Sequence, residues 1–598
     1  MNIFLNYLFI AIIIVGCTPY GSPKEEVKPV KEYREELTTE YVERIEKEKK
    51  ETTEANRTLK PKVKKAKYED PLINIHELWW YKQVRGKKGE KTKSIVLKDL
   101  YLKTLSHSNQ VKVFADIPVI RSTGIQDAEG EFDPVVYAEG GYNRVNEPVG
   151  NVLKTGNDND FKENELYFEA GVKKKFSPGT QLHIGEKLQR IQNNSEFTDP
   201  NAQSIATLSV SIIQPLLRGA GIEYNESLYR LAQIDSQIAE KEFKRQLETH
   251  LLEVTRAYWG LYLTQIGLML RQTMLENIEK IHREMKERSN FDALESEIYH
   301  TEAALAFHRA RIIRAETAVK NAQDRLLALV NDPQYVNQAI SDLALLDIPF
   351  TKWADVDLNN SLLLSIKNRP ELEQAYLQIR SSTIRLNMTK NELLPILDGI
   401  VEFAFTGLRA DNDIGGAFSD QFAGGDPGAR FGFRFEYPIW NRKARARHTR
   451  RQVEKRQLIN QFKTTVENVL FEVKVSIREV ETAYQEFLAR QKAFIAAQKE
   501  IDALKKRRVL ETILQDSKGV SSFLQALLQS QNNHLETQFQ LVKSMIDYNL
   551  AITNLKRSEG TFLAFEKIEN VIEEDENGLP VWRTILRDYE NKYGVHTK

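Results

Sequence analysis

Arg430-Phe431-Gly432-Phe433-Arg434-Phe435-Glu436-Tyr437 is the stretch on which the reading of the chain turns. Its period is two. Phe431, Phe433, Phe435 and Tyr437 fall on one face of an extended strand, and Arg430, Gly432, Arg434 and Glu436 on the other. An apolar face opposite a charged or very small one is what a membrane β-barrel strand with a wet lumen needs. A half-buried strand of a soluble sandwich shows the same alternation, so the strand alone leaves both open. Residues 206–213, Ala-Thr-Leu-Ser-Val-Ser-Ile-Ile, alternate likewise, and residues 400–405 less cleanly. After Pro438 come Trp440 and a basic run of Arg442, Lys443, Arg445, Arg447, Arg450 and Arg451. At a membrane surface such cations meet lipid phosphates and the tryptophan sits at the interface; the same residues also suit a solvated helix start.

The flanking segments favour the membrane reading. From residue 441 to about 515, and from 221 to about 288, no proline interrupts the chain. At 1.5 Å per residue each run reaches roughly 100 Å as a helix. Leu251, Val254, Tyr258, Leu261 and Leu263 recur at the three-and-four spacing of one helical face. Helices of this length need neighbours along their whole extent, which implies a coiled-coil-like bundle or barrel. Ser289-Asn290-Phe291-Asp292 breaks the first run before a helix over 293–329, and Asp516-Ser517-Lys518-Gly519-Val520-Ser521 breaks the second, with Gly519 suited to a helix C′ position and Ser521 to the next N-cap. Each long helix thus returns in a hairpin with a tight tip. Asn331-Asp332-Pro333 ends the first return, and a mixed connector spans 333–360.

The two hairpins belong to two internal repeats. Residues 104–109 align with 365–370, and at the same offset Phe132-Asp133-Pro134-Val135 aligns with Leu393-Leu394-Pro395-Ile396. Gln214-Pro215-Leu216-Leu217 parallels Tyr437-Pro438-Ile439-Trp440. Pro134 to Pro215 spans 81 positions, whereas Pro395 to Pro438 spans 43. The surplus holds two alternating segments, 167–176 and 181–189, around Ser177-Pro178-Gly179-Thr180, a hairpin signal that is either two more strands or an ornament outside the sheet. An open sheet edge cannot face lipid, so membrane strands of one such chain must close with those of other copies.

The N-terminus sets the compartment. Residues 4–16 have the length of a signal-peptide apolar region, too short to span a bilayer. They end Ile14-Val15-Gly16-Cys17, which resembles a bacterial lipobox whose cysteine is lipidated, although no Lys or Arg precedes the apolar run. An ordinary signal peptide with an incidental cysteine is the alternative. Residues 22–68 are dense in Lys and Glu and read as a spacer or marginal charged helix. Cys17 is the single cysteine, which excludes a disulfide framework and a Cys-based zinc site. With 84 basic against 84 acidic residues, nothing offers a basic excess for nucleic acid. The ten histidines show no metal-binding spacing, and no nucleophile elbow or phosphate loop occurs. No enzyme, cofactor or metal is expected.

Asn368-Arg369-Pro370-Glu371-Leu372, Leu393-Leu394-Pro395 and Tyr548-Asn549-Leu550-Ala551 with Leu555 and Gly560 resemble the TolC-type outer-membrane efflux family. So do Glu131-Phe132-Asp133-Pro134, Gln214-Pro215-Leu216-Leu217-Arg218-Gly219 and the hairpin-tip run from Gly519 to Ala526. The resemblance covers about residues 94–565, in order, in both halves. It implies a homotrimer, mainly α with a small membrane β part, in which a trimeric α-barrel of long helical hairpins joins a shared transmembrane β-barrel. The expected organisation is a signal peptide (1–16), anchor and charged spacer (17–75), first repeat (94–332), equatorial connector (333–360), second repeat (361–565) and a tail (566–598) able to fold back on the equator. The implied function is a passive exit duct, lipid-anchored in the outer membrane, that carries substrates onward from an inner-membrane pump and a periplasmic adaptor. Ser289, Asn290, Asp292, Gly519, Val520 and Ser521 are then adaptor contacts, and Lys505, Lys506, Arg507, Arg508 and Asp516 a candidate gate. Phe431, Phe433, Phe435, Tyr437 and Trp440 are the membrane residues. A trimeric lipoprotein that tethers the envelope without conducting is the alternative.

Overall fold

The computed structural model describes residues 37–47, 50, 73, 78–81, 92–156, 158–287, 295–336, 342–423, 427–514, 520–574 and 580–586. Apart from single turns, its elements from residue 92 onward run β1 (Thr92–Ile95), α1 (Leu97–His107), α2 (Asn109–Glu129), β2 (Val135–Pro148), β3 (Asp160–Lys175), β4 (Gln181–Asn193), β5 (Gln203–Pro215), α3 (Ser227–Glu287) and α4 (Glu295–Val330). There follow β6 (Asp342–Leu345), α5 (Leu358–Asn368), α6 (Pro370–Glu392), β7 (Ile396–Ala410), α7 (Ile414–Ala423), β8 (Gly428–Glu436), α8 (Arg442–Leu514), α9 (Val520–Ser558), β9 (Ile568–Glu574) and β10 (Pro580–Leu586). The protein is mainly helical, with one large sheet.

The described residues form two compact units, one drawn from 120–238 and 375–461, the other from 30–119, 239–374 and 462–598. The first holds the sheet. Its strand order is β2-β3-β4-β5-β7-β8, and every neighbouring pair is antiparallel. The surplus hairpin of the sequence is therefore β3–β4, inside the ladder. Its turn is closed by Phe176 N donating to Thr180 O (2.9 Å) and Gly179 N to Phe176 O (2.8 Å), with Gly179 at φ +95°. Tyr437 lies one position past β8. Its neighbour Glu436 is already opposite Ile396, the first residue of β7, so the ladder has no partner left to offer.

The second unit is a helical packing with two small sheets. Phe462, Val466, Val469, Val473, Ile477, Val480, Tyr484 and Phe487 are among the buried positions of α8 here. Their steps of four and three average about 3.6 residues, the α-helical period, so they keep to one face of the helix. Phe243, Leu247, Leu251, Val254, Tyr258 and Leu261 form the matching stripe on α3, and Leu541, Met545, Tyr548 and Leu555 that on α9. Two pairs of polar tips meet within this core: Tyr101 and Thr255 hydroxyls are 2.6 Å apart, and Tyr258 Oη accepts from Asp347 N at 3.2 Å. β1 and β6 pair in parallel, tying the connector back to the segment before α1. The tail forms the β9–β10 hairpin, whose second strand touches α1. Within the charged spacer 37–47 is helical with Tyr41 and Ile45 buried; beyond it, Trp80 is fully buried with its ring edge-on to Tyr262 at 6.5 Å.

Candidate functional site

Register assigns every strand residue to one of two faces. Val136, Val172, Ile184, Val210 and Phe403 stand opposite one another across five strands, an apolar row. Ile212, Val401 and Phe431 continue that face one step along, with Phe433 and Phe435 beyond. Six of these ten side chains are exposed, Val136 at 77% and Phe433 at 79% among them. On the other face Glu139, Glu169, Lys187, Thr207 and Thr406 stand in one row, and Lys173, His183, Ser211, Glu402 and Arg430 in another. A sheet whose exposed face is apolar and whose other face is charged matches lipid on one side and water on the other.

The polar face is held flat by its own pairs. Arg434 Nη2 lies 2.6 Å from Asp398 and Arg430 Nη1 3.3 Å from Glu402, both across β7–β8. The Tyr137 hydroxyl donates to Glu169 at 2.8 Å and meets His183 Nε2 at 2.5 Å, so its ring lies down over β3 and β4. That posture requires glycine beneath it: a Cβ on Gly171 would come 2.8 Å from the Tyr137 ring, and one on Gly185 2.6 Å from its hydroxyl. Tyr167 lies over Gly141 in the same way, at 2.8 Å.

The two ends of the sheet differ. α2 leads into β2, α6 into β7, β5 leads toward α3 and β8 toward α8, all at one end, where the only strand-to-strand connection is the tight turn after Lys175. The connections 149–159, 194–202 and 411–427 lie at the other end and are longer. At the helical end the family-like motifs pair with each other, Leu216 N donating to Leu397 O (2.8 Å) and Arg218 N to Pro395 O (3.2 Å). Asn391 accepts from Gly219 N at 2.7 Å, which Gly219 permits at φ +85°. Trp440 is exposed in the turn before α8, with the Arg442 guanidinium 4.7 Å from its ring. β2 and β8 each have a neighbour on one side only, so both backbone edges of the sheet are open among the described residues.

In the second unit the motif residues build a corner. α5 ends at Asn368, Arg369 N caps onto Ser365 O at 3.1 Å, and Pro370 begins α6, where its missing N–H costs nothing. The buried Arg369 guanidinium pairs with Glu472, lies 3.2 Å from Glu371 and donates to Arg557 O at 3.2 Å. Arg557 reaches Glu472 at 3.3 Å. Gly560, at φ +69°, lies so near the Asn368–Arg369 peptide that a Cβ would come 2.8 Å from it. Tyr548 donates to Lys352 O and accepts from Ala354 N, both at 2.9 Å, while Asn549 bonds both N and O of Phe350. These residues clamp the connector. Close by, the buried Glu248 of α3 has its carboxyl pushed up to about 7, chiefly by burial, with Glu371 adding to it and Lys244, Arg369 and Arg557 opposing.

Of the hairpin residues singled out in the sequence, Lys505, Lys506 and Arg507 are exposed on the last turns of α8. Val520 and Ser521 begin α9, and Arg508 lies within α8; their side chains are outside the described set. Cys17, Ser289, Asn290, Asp292, Asp516 and Gly519 lie outside the described residues. Behind the hairpin ends, Met274, Ile278, Met285, Leu305, Phe523 and Leu527 pack as one cluster. Among the described residues no group of three or more His, Cys, Asp or Glu side chains is placed to hold a metal, and no helix is long and apolar enough to cross a membrane. The sequence reading passed over α7 and Trp80; neither carries a periodic signal of its own.

No protein-family model and no curated protein matches the chain. Solved structures do. The outer-membrane channel OprN is 16% identical and superposes with a TM-score of 0.55 over 81% of this chain and 92% of its own. The CmeC outer membrane channel of Campylobacter jejuni is 13% identical, with a TM-score of 0.57 over 84% and 90%. The MtrE outer membrane channel of Neisseria gonorrhoeae, in its open state, is 12% identical, with a TM-score of 0.52 over 83% and 97%. The chain has the fold of these outer-membrane channels.

Proposed function

We propose that this chain is a TolC-type outer-membrane factor, the exit duct of a tripartite efflux pump or type I secretion system. The observation that carries the reading is the six-stranded sheet with an apolar outer face, a charged inner face and two open edges. Six is an even number, so β8 of one copy can pair antiparallel with β2 of the next without breaking the alternation. Three copies close an eighteen-stranded barrel, a size that leaves an aqueous channel. Lipid cannot satisfy the open backbone groups, and strand pairing with another copy can. The two repeats place one helical hairpin each per copy into a shared α-barrel, and exposed apolar residues on α4, Tyr299, Phe307 and Ile313, suit contact with a neighbouring copy. Lipidation at Cys17 adds an anchor. The hairpin tips receive the periplasmic adaptor and its inner-membrane pump, and the Lys505–Arg508 charges narrow the pore beside them. The duct is passive and has no catalytic part.

Single-channel recording in planar bilayers, with native mass measurement of the same preparation, tests this. A trimer with discrete openings whose size changes when Lys505, Lys506, Arg507 and Arg508 are replaced by glutamine supports the duct and its gate. Openings that ignore those substitutions remove the gate and keep the duct. A membrane-inserted trimer that stays silent even with its adaptor bound supports the tethering alternative.

A further inference from the structure

The connection between β7 and β8 carries the ten-residue helix α7, and α7 lies on the sheet, packed over β7 and β5 and reaching β4. Register fixes which face it covers. Gly407 stands opposite Ala206, and Ala206 opposite Leu188, a row of the apolar face. Ala206 is fully buried, and a Cβ on Gly407 would land on the Ala417 carbonyl and 2.7 Å from Gln421 N, so the glycine admits the helix backbone to contact. The Arg409–Asp420 ion pair pins α7 to the same face. Under it are sealed the Glu186 Oε1 and the Gln421 carboxamide, polar atoms beside the row of Leu188, Ala206 and Gly407. With Ala417 and Gln421 turned to the sheet, Phe418 and Phe422 one turn apart face outward, 45% and 62% exposed, their rings edge-to-face at 5.6 Å. β7 itself runs past the end of β8, whose first residue Gly428 pairs with Ala404.

We propose that α7 is a membrane-embedded helix on the outer wall of the barrel, at the end remote from the long helices, where Phe418 and Phe422 insert among lipid acyl chains. The proposal rests on the reading of the apolar sheet face as the lipid face. The occupant follows from continuity: the outward ring pair extends the same apolar surface as Val401, Phe403 and Phe431 toward the long-loop end. Apolar rings on the outer face of a helix hold it against the acyl chains by the hydrocarbon area they bury. The helix also shields Glu186, which would otherwise meet hydrocarbon, where a carboxylate is costly.

The test uses the full chain in lipid vesicles with nitroxide labels on Phe418→Cys and Phe422→Cys. Phe433→Cys marks the apolar sheet face, Arg434→Cys the polar face, and the unsubstituted chain sets the labelling background. Collision with oxygen reports lipid, and collision with a water-soluble nickel chelate reports water. The expected result is a several-fold oxygen preference at 418 and 422, matching 433, with the opposite preference at 434. Labels at 418 and 422 that behave as 434 does, while 433 stays in lipid, overturn the embedded helix and leave the barrel reading standing. Nickel access at 433 as well overturns both.

Discussion

Glu248 offers the sharpest test of the packing. The residue is 3% exposed and its Oε1 has no hydrogen-bond partner. Burial raises its pKa from the ordinary 4.5 to about 7. Because the folded value lies above the unfolded one, the folded chain keeps a proton that the unfolded chain releases, and stability falls as pH rises between about 4.5 and 7. A gap of about 2.5 in pKa corresponds to about 3 kcal/mol, or a factor of roughly 300 in the opening equilibrium. Glu248→Gln keeps the shape and cannot ionise. Hydrogen exchange of the α3 peptides around residue 248, corrected for intrinsic rate, reads the result. Wild type and variant are expected to match near pH 4.5. At pH 8 the variant is expected to open less, by up to that factor. Equal wild-type-to-variant ratios at both pH values would refute the reasoning. So would a wild type better protected at pH 8, since Lys244, Arg369 and Arg557 would then outweigh burial.

Arg369→Ala leaves Glu472 and Glu371 facing Arg557 without the central cation; with both carboxylates partly wet, a loss of about 2–3 kcal/mol is expected, smaller for Arg369→Lys, measured as a shift in denaturation midpoint. Gly171→Val drives a side chain into the Ile184 carbonyl and the Tyr137 ring, so β3 and β4 separate and the yield of heat-resistant oligomer on gels drops; normal yield would contradict the close approach. Phe487→Ala empties a fully buried site on α8 at a cost of about 3–5 kcal/mol in unfolding. Phe471→Ala, 66% exposed on the same helix, is expected to leave single-chain unfolding near unchanged and to weaken association between copies, read by native mass spectrometry at dilution.

What was legible in the sequence was whatever repeats locally. The three-and-four spacing from Leu251 to Leu263 and the alternation at 430–437 are properties of neighbours in the chain, and they announce a long amphipathic helix and a two-faced strand. The surplus segments around Pro178-Gly179 announced a hairpin. Their place inside the ladder depends on β4 meeting β5 and β5 meeting β7, pairings that local alternation does not encode. The parallel pairing of Thr92–Ile95 with Asp342–Leu345 is of the same kind, and so is the burial of Trp80 in a segment of otherwise charged composition. α7 was hidden for another reason. Two glycines and ten residues make a weak helix by propensity, and contact with Gly407 and Ala206 supports it. The motif residues were visible as a pattern, yet only the fold shows Tyr548 and Asn549 clamping the connector and Gly560 making room for Asn368.

The position of the β3–β4 hairpin separates two quantities that a closed ring of strands usually ties together. Its two strands sit in the interior of the sheet, so the outer edges of β2 and β8, through which the proposed barrel would close, lie outside the hairpin. Circumference can then grow or shrink in steps of one hairpin while the recognition between copies stays the same. Calibre and assembly become independently adjustable, and an engineer could narrow the ring by removing residues 160–193 as a block, joining β2 to β5 through a loop at the distal end, without redesigning how the copies find each other.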